Sequence, residues 1–503
     1  MNSHLFGNPH SHSPSSMLST DQIESTRVRA LKFFDADPEH FDLIFVANAT
    51  AAIKLVVDCM SDYSRDQDGF WYGYHADAHT SLVGVREVVG RGSRCFQSDK
   101  EVDEWLSFRK TQPRDSTDTV TGLFAYPGQS NMNGRRLPLS WPRSIRSSTA
   151  NELCRMYTLL DAAALVSTAP LDLSDHENAP DFTSLSFYKI FGFPDLGALI
   201  VRKAAGHVLS RRRYFGGGTV DMVINGAVGG STKEDWYARK ATSLHEMLED
   251  GTPAFHSIIA LKVAIREHKR LFGSMANVSS HAASLTKTLY EKMSMLSHAN
   301  GLILCQVYKN SSSEYGNSKT QGPTIAFSLR DSSGDLIGKS DFETLAILNN
   351  IQIRTGGLCN PGGISSLLQI SPAQMRENFE EGVRCGNEID EMHGKPTGVI
   401  RVSLGAMSCE KDVSTFLKFL DLFVDKVARR PHDTVPRRSG QSTEKVSTNT
   451  IPLGYIVGTE EVSASLMCPV AACRKVLGSK DELTAHFSTH KCGGKRGRLL
   501  RFK

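Results

Sequence analysis

The chain has no run of about 18 consecutive apolar residues, so no membrane-spanning helix is expected. Its first stretch, MNSHLFGNPHSHSPSS, lacks the charged and apolar regions of a secretory signal. Strong net charge is missing too. Against 54 Asp and Glu stand 58 Lys and Arg, a balance of +4 over 503 residues, too weak to mark the whole chain as a binder of nucleic acid or membrane. The basic excess is local, at Arg211–Arg213 and from Lys491 to Lys503. Ten cysteines spread over this length do not make a disulfide framework. With no export signal they read as reduced thiols, a few of them for chemistry or metal binding. These absences point to a cytoplasmic protein of two or three domains.

What is present is an alternation of short apolar runs and longer amphipathic stretches between Asp21 and Val201. FDLIFVA (Phe41–Ala47) reads as a buried strand, and NATAAIKLVVDCM after it as a helix opening at small polar residues. TGLFAYPG, MYTLLDAA and FTSLSFYK are three further strands, each ending in polar or reactive residues. Strands separated by helical crossovers indicate a mostly parallel α/β sheet with function at the strands' carboxyl ends. A helical region over Ile258–Met295 links this part to a smaller α+β one with TIAFSLR, NIQIRTGG and GVIRVSLG as strands. The polar segment from Ala428 to Asn449 has no periodicity and reads as linker.

Four positions carry chemistry. Lys189 follows an apolar run in SLSFYKIFGFP, where a strand end would hold it in a pocket. Asp161 ends MYTLLDAA. Thr50 lies where a helix begins, and free N–H groups there favour a phosphate. His79, in YHADAHTS, could stack on a ring and move protons. Singly, each has an ordinary reading as a solvated lysine, a capping aspartate or a structural histidine. Jointly they supply what pyridoxal 5'-phosphate (PLP) chemistry requires: an amine, an acid for the pyridine nitrogen, a phosphate cradle and a cover for the ring.

The wording of the chain supports that combination. GNPHSHSPSS, FVANATAAIKLV, LFAYPGQSNMNGRRLPL, SFYKIFGFPDLGALIVR, NIQIRTGGLCNPGG and GVIRVSLGAMSCEKDVSTFLKFL run collinearly from Gly7 to Leu420. In these stretches the chain resembles the aminotransferase class V group, and within it the PLP domain of the molybdenum cofactor sulfurases. The resemblance implies a type I, aspartate-aminotransferase-like PLP fold and a homodimer in which GGGTV (Gly216–Val220) lies near the partner's phosphate. It implies that Lys189 carries PLP, Asp161 pairs with its pyridine nitrogen and His79 stacks on it. Asn131 would reach the ring oxygen, and Thr50 and Ser186 would hold the phosphate. Arg401 matches the residue that grips a substrate carboxylate, a task suited to a guanidinium fork, with Arg354 a second substrate-binding candidate. Cys359, in RTGGLC, stands at the sulfur-accepting position, and the implied reaction moves sulfur from L-cysteine to Cys359 and releases alanine. The sulfur acceptor is unassigned, the molybdenum cofactor being one candidate.

This chain departs from the family in four places. Little precedes Gly7 where the family writes a YLDHAG-like segment. One cysteine remains where the family loop reads RTGCFCNPGAC. Ala164 falls near a glutamine of simpler desulfurases, and nothing after Val427 resembles a MOSC domain. The expectation is a PLP unit without the acceptor domain. Two alternatives stay open: a class V lyase or carbon–carbon bond-forming enzyme, and a zinc-finger regulatory protein with a degenerate enzyme domain.

Beyond the linker, Cys468, Cys473, His486 and His490 follow C-x4-C-x12-H-x3-H, with Leu477 and Leu483 as a small core. Two cysteines of a hairpin and two histidines one helical turn apart can close a tetrahedron around zinc. A C2H2-like ββα finger is expected. One finger reads only about three base pairs, so a protein-binding or structural role is favoured over nucleic acid; DNA binding would add a nuclear location. The expected domains are 1–260 (large PLP-binding), 261–427 (linking helix and small domain), 428–460 (linker) and 461–503 (finger and basic tail).

Overall fold

Strand alternation, with period two, decides how the first sheet is covered. Leu43, Phe45, Phe124, Tyr126, Leu160, Leu185, Ala198 and Ile200 enter one core cluster. Their sequence neighbours Ile44, Leu123, Ala125, Leu159, Leu199 and Val201 enter another. A sheet apolar on both faces needs a helix layer on each. Helix α1 (Pro14–Phe33) covers the first face together with Phe255–Phe272, and α2 (Ala49–Tyr63) covers the second.

The chain divides into two compact units, Met1–His432 and Asp433–Lys503. The computed structural model describes residues 5–111, 120–148, 154–225, 235–426, 466–467 and 476–477. In the first unit, strands β1 (Phe41–Val46), β2 (Trp71–His75), β3 (Ser93–Phe96), β4 (Val120–Pro127), β5 (Cys154–Asp161), β6 (Phe182–Ser186) and β7 (Gly197–Arg202) form one sheet, ordered β1-β7-β6-β5-β4-β2-β3. Four of its pairings are parallel; β7 alone runs against both of its neighbours. Strands β1, β2, β4, β5 and β6 therefore present their carboxyl ends on one edge. The helix α3 (Thr80–Val83) opens just past β2 on that edge.

The helical region between the sheets is two helices, Phe255–Phe272 and Met275–Met295. Gly273, at φ +75°, turns the backbone left-handed, and the Ser274 side chain then caps the second helix by accepting from the Asn277 N–H. The smaller sheet is antiparallel, with Cys305–Val307, Thr324–Arg330, Val399–Ser403 and Arg354–Gly356 in that order. The strand expected over NIQIRTGG shrinks to Arg354–Gly356. No helix among the described residues is long and apolar enough to cross a membrane. In the second unit the described residues form one antiparallel pair, Leu466–Met467 with Val476–Leu477. The candidate zinc ligands Cys468, Cys473, His486 and His490 lie outside the described residues.

Candidate active site

The carboxyl edge of the large sheet collects Thr50, His79, Asn131, Asp161, Ser186 and Lys189 because each ends or follows a strand that ends there. Asp161 is the last residue of β5; it is buried, and its Oδ1 accepts from the Ala163 N–H at 3.0 Å. Among the described residues no donor takes its Oδ2. Ser186 ends β6, and its hydroxyl accepts from the Ala49 N–H, the first of α2, at 3.0 Å. Asn48 caps the same helix by accepting from the Ala51 N–H at 3.0 Å. The Thr50 N–H between them meets no acceptor among the described residues, as a phosphate cradle at a helix start requires. Gly197, opposite Ser186 in the sheet, must be glycine. A Cβ there would stand 2.5 Å from Asn48 Cα.

Lys189 sits on a one-turn helix, Tyr188–Phe191, anchored by the buried Phe187 and Ile190. Its side chain is exposed at the rim of the site rather than enclosed. His79 is half-buried at the N-cap of α3. The Ser81 N–H donates to His79 Nδ1 at 3.2 Å, the Ser81 hydroxyl lies 2.6 Å from that nitrogen, and Thr50 Oγ1 is 3.0 Å from the same hydroxyl. With Nδ1 accepting, a neutral ring carries its proton on Nε2. Burial pulls His79 below its ordinary pKa; the Lys189 charge acts in the same direction, and Asp161 opposes both. Lys189, Asp161 and His79 thus share one electrostatic environment.

The small sheet delivers the other half. Arg354 and Arg401 pair across adjacent strands. Arg401 donates from Nη1 to the Asn131 carbonyl at 2.6 Å, and its buried Nε has no partner among the described residues. Burial, and then the charge of Arg354, lower its pKa. No carboxylate among the described residues forms an ion pair with Arg401. The Cys359 loop reaches back to the large sheet. Cys359 O accepts from the Thr80 N–H at 2.9 Å, beside His79, and Leu358 O accepts from Asn131 Nδ2 at 2.7 Å. The Cys359 side chain is exposed.

All nine candidates from the first unit therefore meet in one cluster. Three participants went unremarked in the sequence. Ser81 links Thr50 to His79. Asn360 joins the cysteine loop to Asp77 and Asn131. A charged group lies behind them: Arg135 donates to Asp77 at 2.8 and 3.1 Å and to Asp99 at 2.7 Å, and His75 Nε2 lies 3.2 Å from Asp99 Oδ1. Burial pushes the Asp99 carboxyl up, but His75 and Arg135 outweigh it and hold the group at about 2. Asn360 was legible in principle, since Asn before Pro is a helix-start signal. The pairing of His75 with Asp99 had no local signal.

A mostly parallel sheet with the candidate side chains gathered on its carboxyl edge, a lysine turn after β6 and an arginine pair on a second sheet fit the α/β fold of the type I PLP-dependent enzymes. The aminotransferase class-V family model matches residues 2–416, and the chain belongs to that family. It is 57% identical over 429 residues to the molybdenum cofactor sulfurase of Neosartorya fischeri, a match covering 85% of this chain and 49% of that protein. It is 54% identical over 460 residues to the molybdenum cofactor sulfurase of Aspergillus niger, covering 90% and 54%. The chain spans about half the length of the curated relatives it matches. Among solved structures, the apo cysteine desulfurase of Thermococcus onnurineus shares the fold with a TM-score of 0.59 at 17% identity, covering 82% of this chain and 86% of that one.

Proposed function

We propose that this chain is a PLP-dependent cysteine desulfurase of the molybdenum cofactor sulfurase type, moving sulfur from L-cysteine to Cys359 and releasing alanine. The observation that carries the reading is the docking of the Cys359 loop onto Thr80 and Asn131, beside the Lys189–Asp161–His79 cluster.

The donor set suits PLP. Among the described residues, Asp161 has an oxygen without a donor, open to a pyridinium N–H, and the start of α2 has a spare N–H with the Thr50 hydroxyl beside it for a phosphate; Lys189 has an accessible amine. When bound, PLP supplies an electron sink that makes the substrate's α-proton acidic. Lys189 would hold the group, and its Nζ is the base that would take that proton. His79 would cover the ring, and Asp161 would keep the pyridine nitrogen protonated. Arg401, seconded by Arg354, orients the substrate through its carboxylate. Cys359 Sγ attacks the substrate sulfur as thiolate; the new S–S bond forms as the C–S bond breaks, and its electron pair stays with the departing carbon chain, which leaves as alanine after protonation.

The ribbon Val220–Ile224 with Trp236–Arg239, just past GGGTV, exposes Met222, Val223, Ile224, Trp236 and Tyr237. An exposed apolar ribbon of this kind supports a homodimer. Zinc at Cys468, Cys473, His486 and His490 is likewise part of the proposal, supported by strand pairing on either side of Cys468 and Cys473 in the sequence. The acceptor of the sulfur is proposed to be the molybdenum cofactor or a carrier of it.

The test is incubation of the PLP-loaded protein with L-cysteine, scoring alanine and protein-bound persulfide together. Equal amounts in the first turnover, with the persulfide on Cys359, are the expected result. Alanine without persulfide, or neither product, defeats the reading.

A further inference from the structure

We propose that Asn360 is a positioning residue: its carboxamide latches the Cys359 loop onto the large-sheet half of the site. The idea rests on the sulfur-transfer reading for its purpose, though not for its geometry. Asn360 is fully buried. Its Oδ1 accepts from the Gly363 N–H at 2.7 Å and so caps the helix Pro361–Leu368. Its Nδ2 donates to the Asp77 carbonyl at 3.0 Å and to Asn131 Oδ1 at 3.1 Å. One end of the side chain thus starts a helix of the small-sheet half, while the other holds the turn that leads to His79.

The loop needs such a hold. Leu358 and Cys359 both lie in the left-handed region, at φ +53° and +55°, a conformation that non-glycine residues keep only where their surroundings impose it. Gly356, at φ +91°, and Gly357 precede them, a hinge that side chains do not stiffen. The fixed point on the far side is firm, because Arg135 grips the Asp77 carboxylate. The approach is also close: a Cβ on Gly362 would come 2.2 Å from the Ala76 carbonyl.

Only a carboxamide performs both tasks. Serine caps a helix but is too short to reach Asp77 O. Aspartate caps equally well but turns an acceptor toward two acceptors. Releasing the latch frees the thiol to carry its sulfur away, and closing it returns the thiol to the substrate.

The experiment compares the PLP-loaded wild type with Asn360→Ser and Asn360→Asp, both of which keep the helix cap. It reads amide hydrogen exchange over residues 76–83 and 356–364, and persulfide formation in the first turnover with L-cysteine. Loss of two buried hydrogen bonds is expected to raise exchange over both segments about tenfold and slow persulfide formation about tenfold, with KM for L-cysteine and cofactor absorbance within about twofold of wild type. Unchanged exchange and persulfide rate in both variants overturns the latch. If both variants unfold, the wild type decides. Its Thr80 and Gly363 amides must be released together in a step cheaper than global unfolding, and release only with the whole domain overturns the proposal. A wild type that loads PLP but forms no persulfide sinks the sulfur-transfer reading, while the exchange data still judge the latch.

Discussion

Lys189 hangs from β6, all five of whose residues are buried, whereas Cys359 rides on two left-handed residues after a glycine pair and is held by polar side chains of the opposite half. The lysine turn is set by close packing, which tolerates no displacement. The cysteine loop is set by a few hydrogen bonds, each of which can open at modest cost. A group that must hold a cofactor in one place needs the first kind of support. On the proposed sulfur transfer, Cys359 collects sulfur and then presents it elsewhere, a task better served by the second.

The sharpest way to break this comparison is to remove each reactive group in turn. Lys189→Ala is expected to abolish both turnover and borohydride trapping of PLP on the chain. Cys359→Ser should abolish persulfide but leave the trapping intact. If Cys359→Ser also lost the trapping, the two supports would not be independent.

Next in size is Arg401→Lys. It keeps the charge but loses the fork, and with it two charge-assisted hydrogen bonds to a carboxylate, so KM for L-cysteine should rise about 10–100-fold with a smaller change in kcat. Steady-state kinetics over a range of L-cysteine concentrations checks this.

Gly197→Ala tests the packed half by stability. The new Cβ would press on Asn48 Cα at 2.5 Å and on the Leu185 carbonyl at 2.8 Å. Backbone on both sides must shift, and urea unfolding should show a loss of about 1–3 kcal/mol. The same change at Gly357, which meets nothing within 4 Å, is expected to cost far less. Equal losses at the two positions would erase the contrast.

The smallest effect concerns pH. Asp99 is depressed in the folded state to about 2, below the unfolded value of about 3.9. Its contribution to stability is therefore complete above that unfolded value and disappears as pH falls through about 2. Acid titration of wild type and Asp99→Asn should converge only at that low end. Convergence already near pH 4 would mean that Arg135 and His75 do not hold the carboxylate.

The local patterns announced their own elements. FDLIFV, FAYP, TLLD and FTSLS read as strands because buried runs bounded by turn residues leave little choice, and the last two end in the candidate residues Asp161 and Ser186. The helical region before the small sheet is legible from its apolar spacing, while its break into two helices at Gly273 rests on one glycine and shows no change of period. NIQIR promised more strand than the fold uses, since only Arg354–Gly356 finds a partner to pair with.

What the amino-acid order determined by itself was the set of elements, the family wording, and which side chains stand at strand ends, because those depend on neighbours within a few residues. Tertiary structure alone decided that Asn131 serves the cysteine loop as well as Arg401, that Asp77, Arg135 and Asp99 brace the turn before His79, and that Lys189 stands at the rim. Those facts join residues dozens to hundreds of positions apart, and hydrogen bonds and burial act through distance in space, which no periodicity along the chain encodes.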